Sequence, residues 1–136
     1  MLDTSPGART VVASSSEVFA ASTIVPQDER TPLAPASPYG AGKAAALELV
    51  RELREETGGA THLSAAILYN HESPRRPVRF ISRKVTAGVA AIALGRATTL
   101  QLGSLDARRD WGYAPDYVDA LCRMARHPRG DDYVIG

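Results

Sequence analysis

The sequence has a single cysteine, Cys122, and no long apolar segment. One cysteine excludes an internal disulfide framework and the usual four-ligand zinc sites, so we predict no metal. The absence of disulfides is typical of a reducing, cytoplasmic location. The N-terminus lacks the apolar core of a signal peptide, and the longest apolar-rich stretch, residues 85–95, is too short to span a bilayer. We therefore expect neither export nor membrane insertion.

An excess of charge of one sign is also absent. Sixteen Lys and Arg residues stand against fifteen Asp and Glu residues, for a formal net charge of +1. This balance gives no basis for predicting nucleic acid or an anionic membrane as a partner. Most of the basic residues are arginine, whose planar group suits phosphate, with clusters at Arg75-Arg76 and Arg108-Arg109. Local anion sites and a solvated arginine-rich surface would both explain these clusters.

A glycine-rich phosphate-binding turn is missing as well. Nucleotide-binding α/β folds usually open with a strand followed by G-x-G-x-x-G, whose backbone N–H groups hold a pyrophosphate. The glycines of "YGAGK", residues 39–43, follow a proline rather than a strand. The sequence therefore contains no segment that can serve as this cradle.

Strand and helix patterns alternate along the chain, as expected for an α/β layered sheet in about one domain. Short β-branched or continuous apolar runs predict strands at 9–15, 62–70, 98–103 and 132–136. Apolar residues at helical spacing predict helices over 38–57, 80–95 and 114–127. The proline-rich residues between 23 and 38 predict a surface loop.

The first helix has clear predicted ends and a predicted buried face. Ser37 is its expected N-cap, Pro38 takes the first helical position, and Gly58-Gly59 ends it. Its predicted buried face consists of Ala46, Leu47, Leu49, Val50 and Leu53. In the last helix, Cys122 is predicted to lie on the buried stripe as a small apolar residue.

Tyr39 and Lys43 are the first candidates for chemistry. Positions four apart share one face of a helix, so the ammonium can lie beside the phenol and favour the phenolate. Tyr39 is thus a candidate general acid or base. The Y-x-x-x-K pattern alone also occurs by chance on ordinary surface helices. The hydroxyl residues of S-S-S-E, residues 14–17, end the preceding predicted strand, and they strengthen the functional interpretation because such a site needs a hydroxyl that orients the substrate oxygen.

A serine hydroxyl followed by S-P-Y-G-x-x-K resembles the extended short-chain dehydrogenases/reductases. Three further strings, N-H-E-S-P-R-R at 70–76, S-R-K-V-T at 82–86 and the segment 102–118 with R-D-W-G, resemble GDP-mannose 4,6-dehydratases in order and separation. The resemblance runs from about Thr10 to the C-terminus. It implies an α/β fold, namely the C-terminal part of a Rossmann-type doubly wound parallel sheet plus part of the substrate-binding region, in one incomplete domain of residues 1–136.

The resemblance also implies roles for individual residues. In catalysis, Ser15 replaces the family's threonine, Glu17 matches the elimination base, and Tyr39 and Lys43 match the redox pair. The implied cofactor is NADP, with NAD as the alternative, and its expected contacts are Tyr39, Lys43, His71 and Arg76. The expected contacts of the substrate, GDP-mannose or a related nucleotide sugar, are Asn70, Lys84 and Arg109.

The implied reaction is that of a lyase that converts GDP-mannose to GDP-4-keto-6-deoxymannose and water. C4 is oxidised transiently, Glu17 removes the C5 proton, and hydride returns to C6. The complete enzyme is expected to be a homo-oligomer. Because the glycine-rich half is not present, we expect these 136 residues to be inactive by themselves and to expose a sheet edge near residue 11.

Two departures from the family pattern affect local fit. Pro77 stands where the family usually has glycine after R-R, and Phe19-Ala20 stand where it usually has Tyr-Gly.

Two other functions fit the same residues. One is a different nucleotide-sugar dehydratase or epimerase, and a simple epimerase would not need Glu17 as a C5 base. The other is a non-catalytic remnant or binding module.

Overall fold

The computed structural model describes residues 7–136. The strands are β1 Thr10–Ala13, β2 Leu63–Leu68, β3 Asn70–Glu72, β4 Trp111–Tyr113 and β5 Asp132–Ile135. The helices are α1 Pro38–Glu56, α2 Ile81–Ala93 and α3 Ala114–Arg126, and a single 3₁₀ turn covers Ser16–Phe19. Residues 1–6, part of the predicted single domain, lie outside the described residues.

The main sheet has three parallel strands in the order β1-β2-β5. Five of the six residues of β2 are buried, as its continuous apolar sequence predicts for a central strand covered on both faces. Its side chains alternate between the two faces. Leu63, Ala65 and Ile67 join the core beneath α1, whereas Ser64 and Ala66 face α3. Helices therefore cover both faces of the sheet, and the predicted α/β class is confirmed.

The ends of α1 form as the sequence predicts. The Ser37 hydroxyl accepts a hydrogen bond of 3.0 Å from the Gly40 amide, and Pro38 occupies the first turn. Beyond the helix, Gly58 and Gly59 have φ angles of 57° and 78°, a left-handed backbone that glycine adopts without steric cost. These groups define where the helix begins and where it ends.

The buried face of α1 differs from the prediction at one position. Leu47 and Val50 are buried and Leu53 is partly buried, but Leu49 is 54% exposed. Ala44 takes part in the core instead. The reason is angular: positions 44, 47 and 50 recur at three-residue spacing along one stripe, and position 49 lies away from it.

Residues 98–103 do not form the predicted strand. A strand needs a neighbour to pair with, and the strand available nearby, β3, pairs in parallel with Trp111–Tyr113 instead. Leu100 packs on α2, where a Cβ added to Gly88 would lie only 2.5 Å from its Cδ1. The strand β4, Trp111–Tyr113, lies in a segment for which the sequence analysis predicts no element.

One prediction about helix burial, that of Cys122, needs correction. Cys122 is exposed, because the buried residues of α3 are Tyr117 and Met124, on the other side of the helix. The apolar residues of α2 do have helical spacing, but no residue of α2 is buried among the described residues. None of the helices within residues 7–136 is long and apolar enough to cross a membrane.

Candidate active site

A cavity of about 520 Å³ opens where β1 and β2 end. Strands of a parallel sheet end at the same edge, and ligands of α/β proteins bind there. Six residues predicted from the sequence line it: Ser15, Glu17, Tyr39, Asn70, His71 and Arg76. Five others were not predicted: Ser14, Ser16, Leu68, Tyr69 and Phe80.

The serines after β1 have different environments. Ser14 is buried, its amide donates to the Ala66 carbonyl at 2.7 Å, and its hydroxyl donates to the Lys43 carbonyl at 3.4 Å. Ser15 caps the following 3₁₀ turn, where its hydroxyl oxygen accepts from the Glu17 amide at 3.3 Å. The Ser14 hydroxyl is therefore committed to the fold, whereas the Ser15 hydroxyl can still donate toward the cavity.

Glu17 is exposed on a turn that is anchored from below. Its neighbours Val18 and Phe19 are 0% and 1% exposed, and they belong to the core under α1. Burial of two large side chains fixes the turn. Glu17 therefore lines the cavity from a turn whose next two residues, Val18 and Phe19, are packed in the core.

Tyr39 and Lys43 lie on the first turns of α1, one turn apart. Tyr39 is 58% exposed and lines the cavity. The Lys43 ammonium lies 5.8 Å from the centroid of the Tyr39 ring and donates a hydrogen bond of 2.8 Å to the Ala13 carbonyl. Lys43 does not itself line the cavity. Its side chain joins α1 to the end of β1, directly before the serines.

The close approach of α1 to the 3₁₀ turn depends on Gly40. A Cβ added at this position would lie 2.7 Å from the Glu17 carbonyl oxygen, which is a backbone atom. Glycine therefore allows the helix that carries Tyr39 to contact the turn that carries Glu17.

The ring of His71 is held by two contacts. Its Nδ1 lies 2.9 Å from the Tyr69 carbonyl oxygen, and since a carbonyl can only accept, Nδ1 carries the proton. In the neutral ring Nε2 is then a hydrogen-bond acceptor. The ring centroid of the buried Tyr117 lies 5.1 Å from that of His71. Burial, and secondly the charge of Asp110, raise the pKa of Tyr117 above its usual range.

Arg76 stacks on an aromatic ring at the cavity wall. Its Cζ lies 3.9 Å from the centroid of Phe80. Its Nε lies 3.2 Å from Oε2 of Glu72, which is the distance of an ion pair, although the angle is not that of a hydrogen bond. The guanidinium is therefore held beside the cavity between the Phe80 ring and the Glu72 carboxylate.

Lys84 and Arg109 are not brought into this cavity. Lys84 is partly buried near the start of α2. Arg109 is exposed in an irregular segment, and its Nη1 donates to the Arg108 carbonyl at 2.7 Å. Their predicted roles in holding a nucleotide sugar remain predictions.

Tyr69 and Phe80 are the cavity residues that sequence analysis missed with most consequence. Tyr69 directly follows β2, and its position at the edge of the sheet where ligands of α/β proteins bind could have pointed to it. Burial, and then Asp110, raise its pKa, and its hydroxyl donates to Gln27 of the proline-rich loop. Phe80 had no comparable signal, since only the folded loop brings it under Arg76. Within residues 7–136, no cluster of His, Cys, Asp and Glu side chains could hold a metal ion.

The comparison with known families covers the complete chain. The family described as GDP-mannose 4,6 dehydratase matches residues 1–136. The chain belongs to the GDP-mannose 4,6-dehydratase family. One curated member, the GDP-mannose 4,6-dehydratase of Sinorhizobium fredii (strain HH103), is 46% identical over 123 residues, which are 90% of this chain and 34% of that protein. The chain thus spans about a third of the length of such curated relatives.

Solved structures of other proteins share the fold. The dTDP-glucose 4,6-dehydratase of Bacillus anthracis in complex with NAD superposes with a TM-score of 0.84 at 23% identity, covering 99% of this chain and 42% of that one. RMD from Pseudomonas aeruginosa complexed with NADPH gives 0.82 at 25% identity, covering 92% and 44%. The predicted Rossmann-type fold is confirmed.

Proposed function

We propose that this chain carries the catalytic residues of a GDP-mannose 4,6-dehydratase, a lyase that forms GDP-4-keto-6-deoxymannose and water. Membership of the family supports the reaction. The observation that carries the proposal is the common cavity of Ser15, Glu17 and Tyr39. It unites a hydroxyl, a carboxylate and a phenol, the three group types that transient oxidation and elimination require.

The residues around the cavity fit a nicotinamide dinucleotide phosphate. Arg76 offers a planar cation to phosphate oxygens, and His71 offers an acceptor nitrogen. Lys43 offers an ammonium beside Tyr39, and its present partner is a single carbonyl oxygen. When bound, NADP⁺ would supply the hydride acceptor for C4 and the hydride donor for C6, with NAD as the alternative cofactor.

The first proton transfer belongs to Tyr39. As a phenolate it would remove the proton of the C4 hydroxyl while hydride passes from C4 to the bound cofactor, and the Lys43 ammonium lies 5.8 Å from the centroid of its ring. The Ser15 hydroxyl donates a hydrogen bond to the same substrate oxygen and so orients it. The product of this step is a C4 ketone.

The second proton transfer belongs to Glu17. The ketone makes the C5 proton acidic, so the Glu17 carboxylate can remove it. The C6 hydroxyl then leaves with the proton that Glu17 took from C5, which forms water and a C5–C6 double bond. Tyr39 gives its proton to C5 as hydride reaches C6. Separate positions on α1 and on the 3₁₀ turn allow the acid and the base to have different tasks.

A chimera tests the proposal. The matching segment of the Sinorhizobium fredii enzyme would be replaced by the corresponding residues of this chain, and GDP-mannose conversion would be followed. We expect product from the chimera and none from the isolated 136-residue chain. Glu17→Gln should slow product formation by about 100-fold or more but still allow C4 oxidation, visible as reduced nicotinamide. Tyr39→Phe should abolish both.

Matched controls are the exposed residues Glu48 and Tyr113, outside this cavity. Glu48→Gln and Tyr113→Phe should leave the chimera active. A folded chimera without product would refute the proposal and favour a binding role. Turnover that is insensitive to Glu17→Gln would indicate an epimerase.

A further inference from the structure

Glu72, on β3, contacts two groups beside the cavity without lining it. Its Oε2 accepts a hydrogen bond from the hydroxyl of Ser82, near the start of α2, and the same oxygen forms the ion pair with Arg76. The Glu72 and Arg76 side chains are 15% and 23% exposed. Their attraction is therefore screened less than that of an ion pair on the open surface.

A second cation, Arg79, lies over the same Phe80 ring as Arg76. The guanidinium carbons of Arg76 and Arg79 lie 3.9 and 4.9 Å from the centroid of the same Phe80 ring. Two like charges at one ring repel each other. Glu72 offsets this repulsion on the side of Arg76, and no corresponding ion pair of Arg79 is present within residues 7–136.

The ion pair and the stacking together fix the orientation of the Arg76 group. The Phe80 ring limits the movement of the guanidinium on one side, and the contact of Nε with Glu72 limits its rotation. The two terminal nitrogens make no hydrogen bond to the part of the chain that the structure describes. They form a planar pair of donors that matches two oxygens of a phosphate.

We propose that Glu72 is a positioning residue that holds Arg76 so that its terminal nitrogens receive the phosphate oxygens of a ligand in the cavity. The identity of that ligand rests on the proposed function, but the positioning itself does not. Ser82 completes the arrangement, since its hydroxyl holds the Glu72 carboxylate in place.

Electrostatics and positioning predict opposite effects of Glu72→Gln on anion binding. Removing a negative charge beside Arg76 would by itself tighten the binding of an anion. If Glu72 positions Arg76, the variant instead frees the guanidinium to rotate and binding weakens. The sign of the effect therefore separates the two roles.

The direct measurement is the Nε–H resonance of Arg76 in the full chain, by NMR without ligand. We expect one resolved signal, shifted by the ring current of Phe80. In Glu72→Gln it should broaden and return toward the position of a free arginine, and in Ser82→Ala it should move part of the way. Glu48→Gln, which removes an exposed carboxylate from α1, should leave it unchanged.

The functional measurement is a titration with inorganic phosphate, followed at the backbone amide of His71. We expect Glu72→Gln to weaken phosphate binding about fivefold in the native background and to have no effect in Arg76→Lys, because coupled residues are non-additive. A rigid Arg76 signal in Glu72→Gln would overturn the proposal. The proposal would also be overturned if Glu72→Gln left phosphate binding unchanged or tightened it. It would be overturned as well if Glu72→Gln weakened binding equally in the native and the Arg76→Lys backgrounds. An inactive chimera together with the expected NMR results would count against the proposed function alone.

Discussion

At the scale of residues, neighbouring side chains of one type have different tasks because their environments differ. Ser14 is buried and hydrogen-bonded to the Lys43 carbonyl, whereas Ser15 caps the 3₁₀ turn at the cavity. Both residues line the cavity, but the Ser14 hydroxyl donates to the Lys43 carbonyl of α1, which leaves the Ser15 hydroxyl as the one that can donate to a ligand.

Asp28 stabilises the proline-rich loop through its ionised form. Its Oδ1 accepts hydrogen bonds of 3.0 Å from the Thr31 hydroxyl and from the Arg30 amide. The Thr31 hydroxyl, and then the Arg30 amide, lower the pKa of Asp28 below 3.8. This loop also carries Gln27, the partner of Tyr69 at the cavity.

We expect Asp28→Asn to lower the free energy of unfolding at neutral pH. The lowered pKa means that the charged carboxylate stabilises the folded state above pH 3.8, and that this contribution is lost as pH falls through the folded pKa. Urea unfolding of both proteins over a pH series should therefore show curves that converge in acid. In Thr31→Val the Asp28 pKa, measured by NMR, should move back up. A difference that persists at the lowest pH would contradict this explanation.

At the scale of elements, the site depends on contacts between α1, β1 and the 3₁₀ turn. Lys43 bonds the Ala13 carbonyl at the end of β1, and Gly40 contacts the backbone of Glu17. The distance between the candidate acid, Tyr39, and the candidate base, Glu17, is thus controlled by how closely two elements pack.

Gly40→Ala should destabilise the chain by about 1–3 kcal/mol, because the new methyl group would overlap a backbone oxygen that cannot rotate away. Gly42→Ala is the matched control in the same helix, since nothing lies within 4 Å of its added Cβ. It should stabilise the chain by up to about 1 kcal/mol through helix propensity. Urea unfolding measures both, and equal stabilisation by the two variants would show that α1 does not contact the turn this closely.

At the scale of the whole molecule, the three-stranded sheet has two outer strands, β1 and β5. The predicted edge near residue 11 is confirmed within the described residues. Side chains cover part of each edge: Lys43 bonds the Ala13 carbonyl of β1, and Glu29 accepts a hydrogen bond of 2.7 Å from the Val134 amide of β5. The middle of β1 has no such cover from residues 7–136.

We expect the chain to self-associate through the edge of β1. The amides of Thr10 and Ser14 donate to carbonyls on the β2 side. Because the N–H groups of successive residues in a strand point to opposite sides, the Val11 amide points away from β2 to the free edge. Val11→Pro removes only that outward donor and should reduce association. Val12→Pro is the matched control, and it should destabilise the fold because it removes a bond to β2. Sedimentation velocity measures association, and a monomeric parent chain at all concentrations would contradict the prediction.

The sequence by itself determined the local elements and the candidate residues. Capping by Ser37 and Pro38, the glycines after α1 and the continuous apolar run of β2 are local signals, so the α/β class and most element positions followed from them. Motif order pointed to Ser15, Glu17, Tyr39, Asn70, His71 and Arg76, which the fold brings to one cavity. Their roles remain proposals.

Strand pairing and helix exposure depend on contacts between residues distant in sequence, and only the tertiary structure decided them. Whether 98–103 or 111–113 forms a strand is a question of pairing with β3, and the exposure of Leu49 and Cys122 depends on which helix stripe meets the sheet. The roles of Glu72 and Phe80 likewise depend on a loop that folds back on itself. Local propensity carries no information about such contacts, because their free energy arises only when the packed surfaces meet.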